Sequence, residues 1–199
     1  MTNQESAIVI GRPADRLRRK SAQADRYTSP WSLRERFGML AWRVVECLLM
    51  RPTPKALNSW RLFLLRVFGC TVRGHPFVHP ACLIKIPWQL TIEDRAAIGP
   101  HVEIYNLGEV LLEERCVVGQ HSYLCGGSHD LSDPELPLIV GPIVIGSDAF
   151  IGARVLVLPG VLIGPGAVIG AGSVVSRDMP PWQVCAGNPC KPLKSRTWL

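Results

Sequence analysis

The chain has 199 residues, 47% of them hydrophobic and 19% charged, which is ample for a buried core and excludes a disordered chain. Its formal net charge of +6 raises nucleic acid or an anionic membrane as partners. The excess, however, lies at the two ends, at Arg12, Arg16, Arg18, Arg19 and Lys20 in front and Lys191, Lys194 and Arg196 behind, with no aromatic-interleaved basic stripe, so nucleic acid is not expected.

Residues 1–28 are polar and basic and read as a mobile segment. Because "MTNQESAIVI" is no signal peptide, a cytoplasmic location is expected. Residues 29–69 read as helical. Ser29-Pro30 opens the first helix, Ser32 and Glu35 form a capping box inside it, and its apolar positions run from Trp31 to about Met50. Thr53-Pro54 opens a second helix, which carries Leu57, Trp60, Leu64 and Leu65 and stops at Gly69. Neither helix has the ~20 consecutive apolar residues needed to cross a bilayer. They serve either as a cap on the following domain or, through Arg34, Arg36 and Arg43, as a contact with an anionic membrane surface; the two roles are compatible.

From Val72 an aliphatic residue returns every sixth position, and the pattern is cleanest from Ile145 to Val175. Period six fits neither the 3.6 of a helix nor plain strand alternation. It predicts a solenoid over residues 70–184 whose short strands turn a corner every six residues. The register runs in groups of three: Val72, Val78, Ile84; then Ile92, Ile98, Ile104; then Leu112, Val118, Leu124. Between groups the interval grows to eight, eight and twenty-one residues. If three hexads make one turn of a three-sided prism, every insertion leaves from the same edge. Loops gathered on one edge of a rigid scaffold are where function concentrates. The largest insertion, "GGSHDLSDPELPLIVGP", forms a protruding loop over residues 126–142, with His129 at its root.

Several stretches resemble the hexapeptide-repeat acyltransferases, a family of left-handed β-helices that move acetyl from acetyl-CoA to small acceptors. They are "SYLCGGSHD", "PIVIGSDAFIGARVLVLPGVLIGPGAVIGAGSVVSRDMPP" and "AGNPCKPL". "IPWQLTIED" and "WRLFLLRVFG" are similar to the colanic acid or exopolysaccharide biosynthesis O-acetyltransferases within it. The resemblance implies a mainly β fold, a left-handed parallel β-helix preceded by two helices, and a homotrimer with active sites between subunits. It implies His129 as general base on a saccharide acceptor, and the backbone N–H of Ala153 facing the oxyanion. Ala171 and Ser176 fall along the pantetheine track with Arg177 nearby, and Lys191 and Lys194, in a C-terminal tail over 185–199, fall near the CoA phosphates. A lipid-linked saccharide acceptor would accompany peripheral contact of the basic front end with the inner membrane; no metal is implied. Two departures stand out: Phe150 where sugar acetyltransferases often carry Trp, and Gly99 where an acceptor-holding Asn is aligned.

Imidazole suits the role of base because its ordinary pKa, about 6.5, leaves it mostly neutral at cytoplasmic pH. Asp130 or a backbone carbonyl would orient its ring. Three other readings compete: a trimeric metalloenzyme using His75, His79, His101 and His121, N-acetylation of an amino sugar, and a scaffold without chemistry. The seven cysteines are odd in number and lack CxxC pairs, which predicts reduced thiols; the resemblance implies direct transfer, with no acetyl-thiol intermediate at Cys125 or Cys185.

Overall fold

A computed structural model of the chain describes residues 13–20 and 28–197. The sixfold pattern folds into a parallel β-solenoid with three faces, two of five strands and one of seven. Face one stacks strands from Thr71–Val72 to Leu162–Ile163, face two from Phe77–Val78 to Cys190–Ser195, and face three from Leu83–Ile84 to Val174–Val175. The register matches the hexads: Val78 pairs with Ala97–Ile98 in the next coil, and Ile84 stands opposite Ile104. The aliphatic residues of the register point into the prism and are buried from Val78 to Val175, while Val72 at the open end is partly covered. Filling a core with such side chains contributes about 1.5–3 kcal/mol each. Every coil also satisfies its backbone through the coil beside it, as where Ile98 O accepts from His79 N–H at 3.0 Å. Gly99, Gly119, Gly152 and Gly170 recur at one corner because the coils approach too closely for a side chain. A Cβ at Gly119 would lie 2.7 Å from Ile151 O.

All three insertions leave from the edge between face three and face one. The two short ones contain Pro87–Gln89, a single 3₁₀ turn, and Asn106. Two extra residues break the coil-to-coil ladder at this corner, and Asn106 repairs it. Its buried Oδ1 accepts from Ile86 N–H at 2.9 Å, and its Nδ2 donates to Ile86 O at 2.5 Å.

The helical region closes the N-terminal end of the prism. Helix α1 spans Leu33–Val45 and begins one turn later than Ser29-Pro30 suggested, at the Ser32–Glu35 capping box. A π turn over Glu46–Met50 continues it. A 3₁₀ turn at Lys55–Leu57 leads into helix α2, Asn58–Val67, and Gly69 in the left-handed region ends it. Trp42, Met50, Leu62 and Leu65 plug the prism and join its main core. Polar anchors fix the plug: Trp42 Nε1 donates to Ile84 O at 2.7 Å, and the buried Glu46 carboxylate accepts from Ile84 N–H at 2.9 Å. Arg61, fully buried, spends its fork on the carbonyls of Val78, Pro54 and Lys55 and on the Thr53 hydroxyl. The capping role of the helices is thus realised. Gln183–Gly187 and Cys190–Ser195 form a hairpin that extends face two, so the expected C-terminal tail begins inside the sheet.

Candidate active site

The long insertion is a β-hairpin. Gly127–His129 pairs antiparallel with Leu138–Val140, setting His129 opposite Leu138. Its root must pack tightly: a Cβ on Gly127 would lie 2.8 Å from a Leu107 methyl, which is why glycine stands there. Leu107 and Leu138 bury with Ile86 in a small separate core beneath the hairpin.

The hairpin turn returns a carbonyl to the histidine. His129 Nδ1 lies 2.6 Å from Leu136 O, and Leu136 itself adopts the left-handed region at φ 45°. A carbonyl only accepts, so Nδ1 carries the proton. Nε2 therefore presents its lone pair, and it has no partner among the described residues while the side chain is exposed. The orienting group is the carbonyl, and Asp130 is occupied elsewhere. Its carboxylate accepts from the Ser132 hydroxyl at 2.6 Å and from Ser132 N–H, which hold it below the ordinary carboxylate range.

A strap absent from the sequence reading braces this hairpin. Residues 1–12 and 21–27 of the segment expected to be mobile lie outside the described residues, but 13–20 are held along the functional edge. Arg18–Arg19 adds a third strand beside Leu138–Val140, and Lys20 N–H donates to Leu138 O at 2.9 Å. Arg19 reaches Asp133 at 2.6 Å and Asp130 at 3.4 Å. Arg16 grips both oxygens of Asp178 and the Gly160 carbonyl. Lys20 Nζ pairs with Glu35 of the capping box at 3.0 Å and sits 4.2 Å over the Trp31 ring, tying the hairpin to α1.

The remaining expected residues divide between edges. Ser176 and Arg177 lie exposed on the edge that carries the hairpin, just after Val174–Val175 of face three. Ala153 and Ala171 stack at the corner between faces two and three, where Gly172 N–H donates to Ala153 O at 2.9 Å. The Ala153 N–H has no backbone acceptor among the described residues. Lys191 and Lys194 are exposed on the last strand of face two, opposite Ala186 and Val184. Within one chain, face three separates His129 from Ala153, and the two are not brought together. That face carries Tyr105 and Tyr123 with their rings stacked 6.0 Å apart.

Three comparisons bear on this geometry. Residues 142–177 match the family described as bacterial transferase hexapeptide (six repeats). The "Putative colanic acid biosynthesis acetyltransferase WcaF" of Escherichia coli K12 is 39% identical over 155 residues, 78% of this chain and 85% of that protein. The chain belongs to the hexapeptide-repeat acetyltransferases. Among solved structures, a hexapeptide-repeat acetyltransferase from Vibrio cholerae superposes with a TM-score of 0.75 at 25% identity, covering 83% of this chain and 94% of its own. A galactoside acetyltransferase in complex with coenzyme A gives 0.76 at 24% identity, with 85% and 86% covered.

Against this family the two departures resolve differently. Phe150 stands on the outer side of face two, exposed, with Val117 and Val168 beside it. Gly99 occupies a corner where a Cβ would lie 2.9 Å from Val118 O, so in this chain the close approach of the coils favours glycine there. The histidines weighed for metal serve the corners. His101 and His121 take left-handed conformations in successive coils and stack at 4.9 Å, and His79 Nδ1 accepts from Ala81 N–H at 3.1 Å. Among the described residues no group of three or more His, Cys, Asp or Glu could hold a metal ion. Cys70, Cys82, Cys116, Cys185 and Cys190 are buried, and burial pushes the Cys70 and Cys116 thiols up to about 12 and that of Cys185 to about 11.

Proposed function

We propose that this acetyltransferase moves the acetyl group of acetyl-CoA to a hydroxyl of a saccharide acceptor in the assembly of a surface polysaccharide of the colanic acid or exopolysaccharide kind, working at the cytoplasmic face of the inner membrane. The observation that carries the reading is the His129 Nδ1 contact with Leu136 O, which leaves Nε2 an acceptor facing outward. A neutral imidazole held in that tautomer is poised to take a proton from an alcohol. In the reaction, Nε2 accepts the hydroxyl proton as the alcohol oxygen attacks the thioester carbonyl. The Ala153 N–H donates to the oxyanion, and His129 returns the proton to the departing thiolate. Atoms balance without an enzyme nucleophile, and the protein's task is to hold two substrates together.

The groups around the prism fit a CoA thioester. The Ala153 N–H lacks a backbone acceptor, and the exposed side chains of Ala171 and Ser176 are small enough to let an extended pantetheine pass. Arg177, Lys191 and Lys194 are exposed, with no side-chain partner among the described residues, and supply charge for phosphates. The separation of His129 from Ala153 across face three supports a homotrimer. A closed threefold ring sets the hairpin edge of one chain against the Ala153 edge of its neighbour and completes each site between them.

The test is acceptor-dependent release of free CoA from acetyl-CoA, wild type against His129→Ala, over a panel of nucleotide sugars, lipid-linked saccharides and amino sugars. A responding hydroxyl acceptor and a loss of about 10²-fold or more in the variant are expected. A response to amino sugars alone would turn the reading to N-acetylation. Undiminished turnover by the variant would remove His129 as base, and failure to bind acetyl-CoA would leave a scaffold.

A further inference from the structure

We propose that the outward face of α1 and α2 is a docking surface for an anionic lipid bilayer, on which the enzyme lies without spanning it. An apolar stripe runs along α1 and into the π turn that continues it. Leu33, Phe37, Leu40, Val44 and Leu48 follow one another at steps of four, three, four and four residues, which places them on a single helical stripe. In a helix packed on a core that stripe would be the buried one. Here it is the reverse: these five side chains are between 50% and 69% exposed, while Trp42, Glu46 and Met50 on the other side seal the prism.

Helix α2 repeats the arrangement. Leu57, Trp60, Phe63 and Val67 point outward, with Phe63 52% and Val67 62% exposed, while Leu62 and Leu65 face the core. The two stripes meet. Trp60 Nε1 donates to Leu49 O at 2.9 Å, and the Trp60 and Phe63 rings stack at 5.6 Å. The result is an apolar surface with aromatic members in which the exposed side chains are gathered rather than scattered.

Charge chooses the occupant. Between residues 29 and 69 there are seven basic residues and two acidic ones, Glu35 and Glu46. Arg61 is buried, so six cations, Arg34, Arg36, Arg43, Arg51, Lys55 and Arg66, remain exposed around the apolar surface. Glu46 pairs with Arg43 at 2.6 Å while its other oxygen accepts from Ile84 N–H, and Glu35 is held by Lys20 and the Ser32 cap, so five of the six cations face no acid of this region. An apolar stripe rimmed by arginine and lysine fits the interface of a bilayer containing acidic lipids, where the side chains enter the acyl boundary and the cations meet headgroup phosphates. Among the described residues no helix is long and apolar enough to cross a membrane, so the surface rests at the interface.

The site's own architecture argues against a second copy as occupant. The helices cap the end of the prism, whereas the residues of the proposed active site lie along its edges. A ring closed through those edges turns all three caps the same way, so three docking faces meet one plane and multiply a weak affinity. Docking itself requires neither His129 nor acetyl transfer, and the two fail separately.

The full chain is floated with liposomes of phosphatidylcholine alone or with about one-third phosphatidylglycerol. Binding to the anionic liposomes that weakens with salt is expected, together with a loss of about tenfold or more in the double variant Phe37→Glu, Phe63→Glu. Melting temperature and acetyl-CoA binding, measured on the same variant, should stay at the wild-type level because both rings are exposed. Equal flotation of variant and wild type, or no flotation of wild type, would overturn the proposal. A change of oligomeric state in the variant, read by light scattering, would also overturn it by making the face a contact between copies.

Discussion

Asn106 is the residue on which the elaborated edge depends, and its replacement by leucine gives a quantitative prediction. The side chain is buried, and its amide makes two hydrogen bonds to the N–H and carbonyl of Ile86, itself fully buried. Leucine has the same branched skeleton and is the larger side chain, so Asn106→Leu opens no cavity, and the polar loss comes on top of any crowding. It strands one buried donor and one buried acceptor, each costing about 1–3 kcal/mol, for a total of about 2–6 kcal/mol. For a chain of this length, 1 kcal/mol corresponds to about 2–4 °C, so the melting temperature should fall by about 4–24 °C. Denaturant unfolding followed by circular dichroism, with Glu109→Gln as an exposed neighbouring control, measures it. The reasoning is refuted if Asn106→Leu unfolds within about 1 kcal/mol of wild type, because the amide would then not be repairing the broken ladder. A folded variant should also lose turnover, since the hairpin root at Gly126 rests against the backbone of Tyr105 and Leu107.

Four further outcomes are expected. Arg19→Glu sets like charges against Asp130 and Asp133 and should release the strap, read as faster amide exchange in residues 126–142; unchanged exchange would show that the backbone pairing alone suffices. Hydrogen bonds from Ser132 to Asp130, and from Glu135 N–H and Arg19 to Asp133, hold both carboxylates below their ordinary range. The clasp is therefore complete above the ordinary carboxylate value, about 3.9, and is lost as pH falls through the lowered folded values, so wild-type protection should be flat from neutral pH down to about 5 and drop only below about 4. Alkylation of the native protein at mildly alkaline pH should label Cys47 and Cys125, which are half-buried, well before the five buried cysteines. Cys125→Ser should turn over at the wild-type rate, and a loss of about 10²-fold would demand an acetyl-thiol intermediate in place of direct transfer.

Much of this architecture is legible without coordinates because a solenoid is nearly one-dimensional. Each coil contacts only its neighbours, so the period-six register from Val72 to Val175 names the inward residues, and the intervals of eight, eight and twenty-one residues name the elaborated edge. The capping box at Ser32 and the stop at Gly69 were readable for the same reason, since both are local backbone chemistry. Candidate residues around the active site were only half readable. His129 stood out as the histidine at the root of the one long insertion, but what orients it did not, because Leu136 O is a main-chain group offered by a left-handed turn and leaves no mark in residue type.

By itself, then, the sequence determined the prism, its three faces, the edge that bears the loops and the histidine on it. Periodic burial and local capping depend on spacing along the chain. Tertiary structure alone decided three things that depend on distant residues meeting. Arg18–Arg19 becomes the third strand beside Leu138–Val140, more than a hundred residues away. Face three stands between His129 and Ala153, so one chain does not join them. And α1 with its π turn buries Trp42 and Met50 while exposing Leu33, Phe37 and Leu48, because an amphipathic pattern fixes that two faces differ, and only the shape of the prism's open end decides which side plugs it.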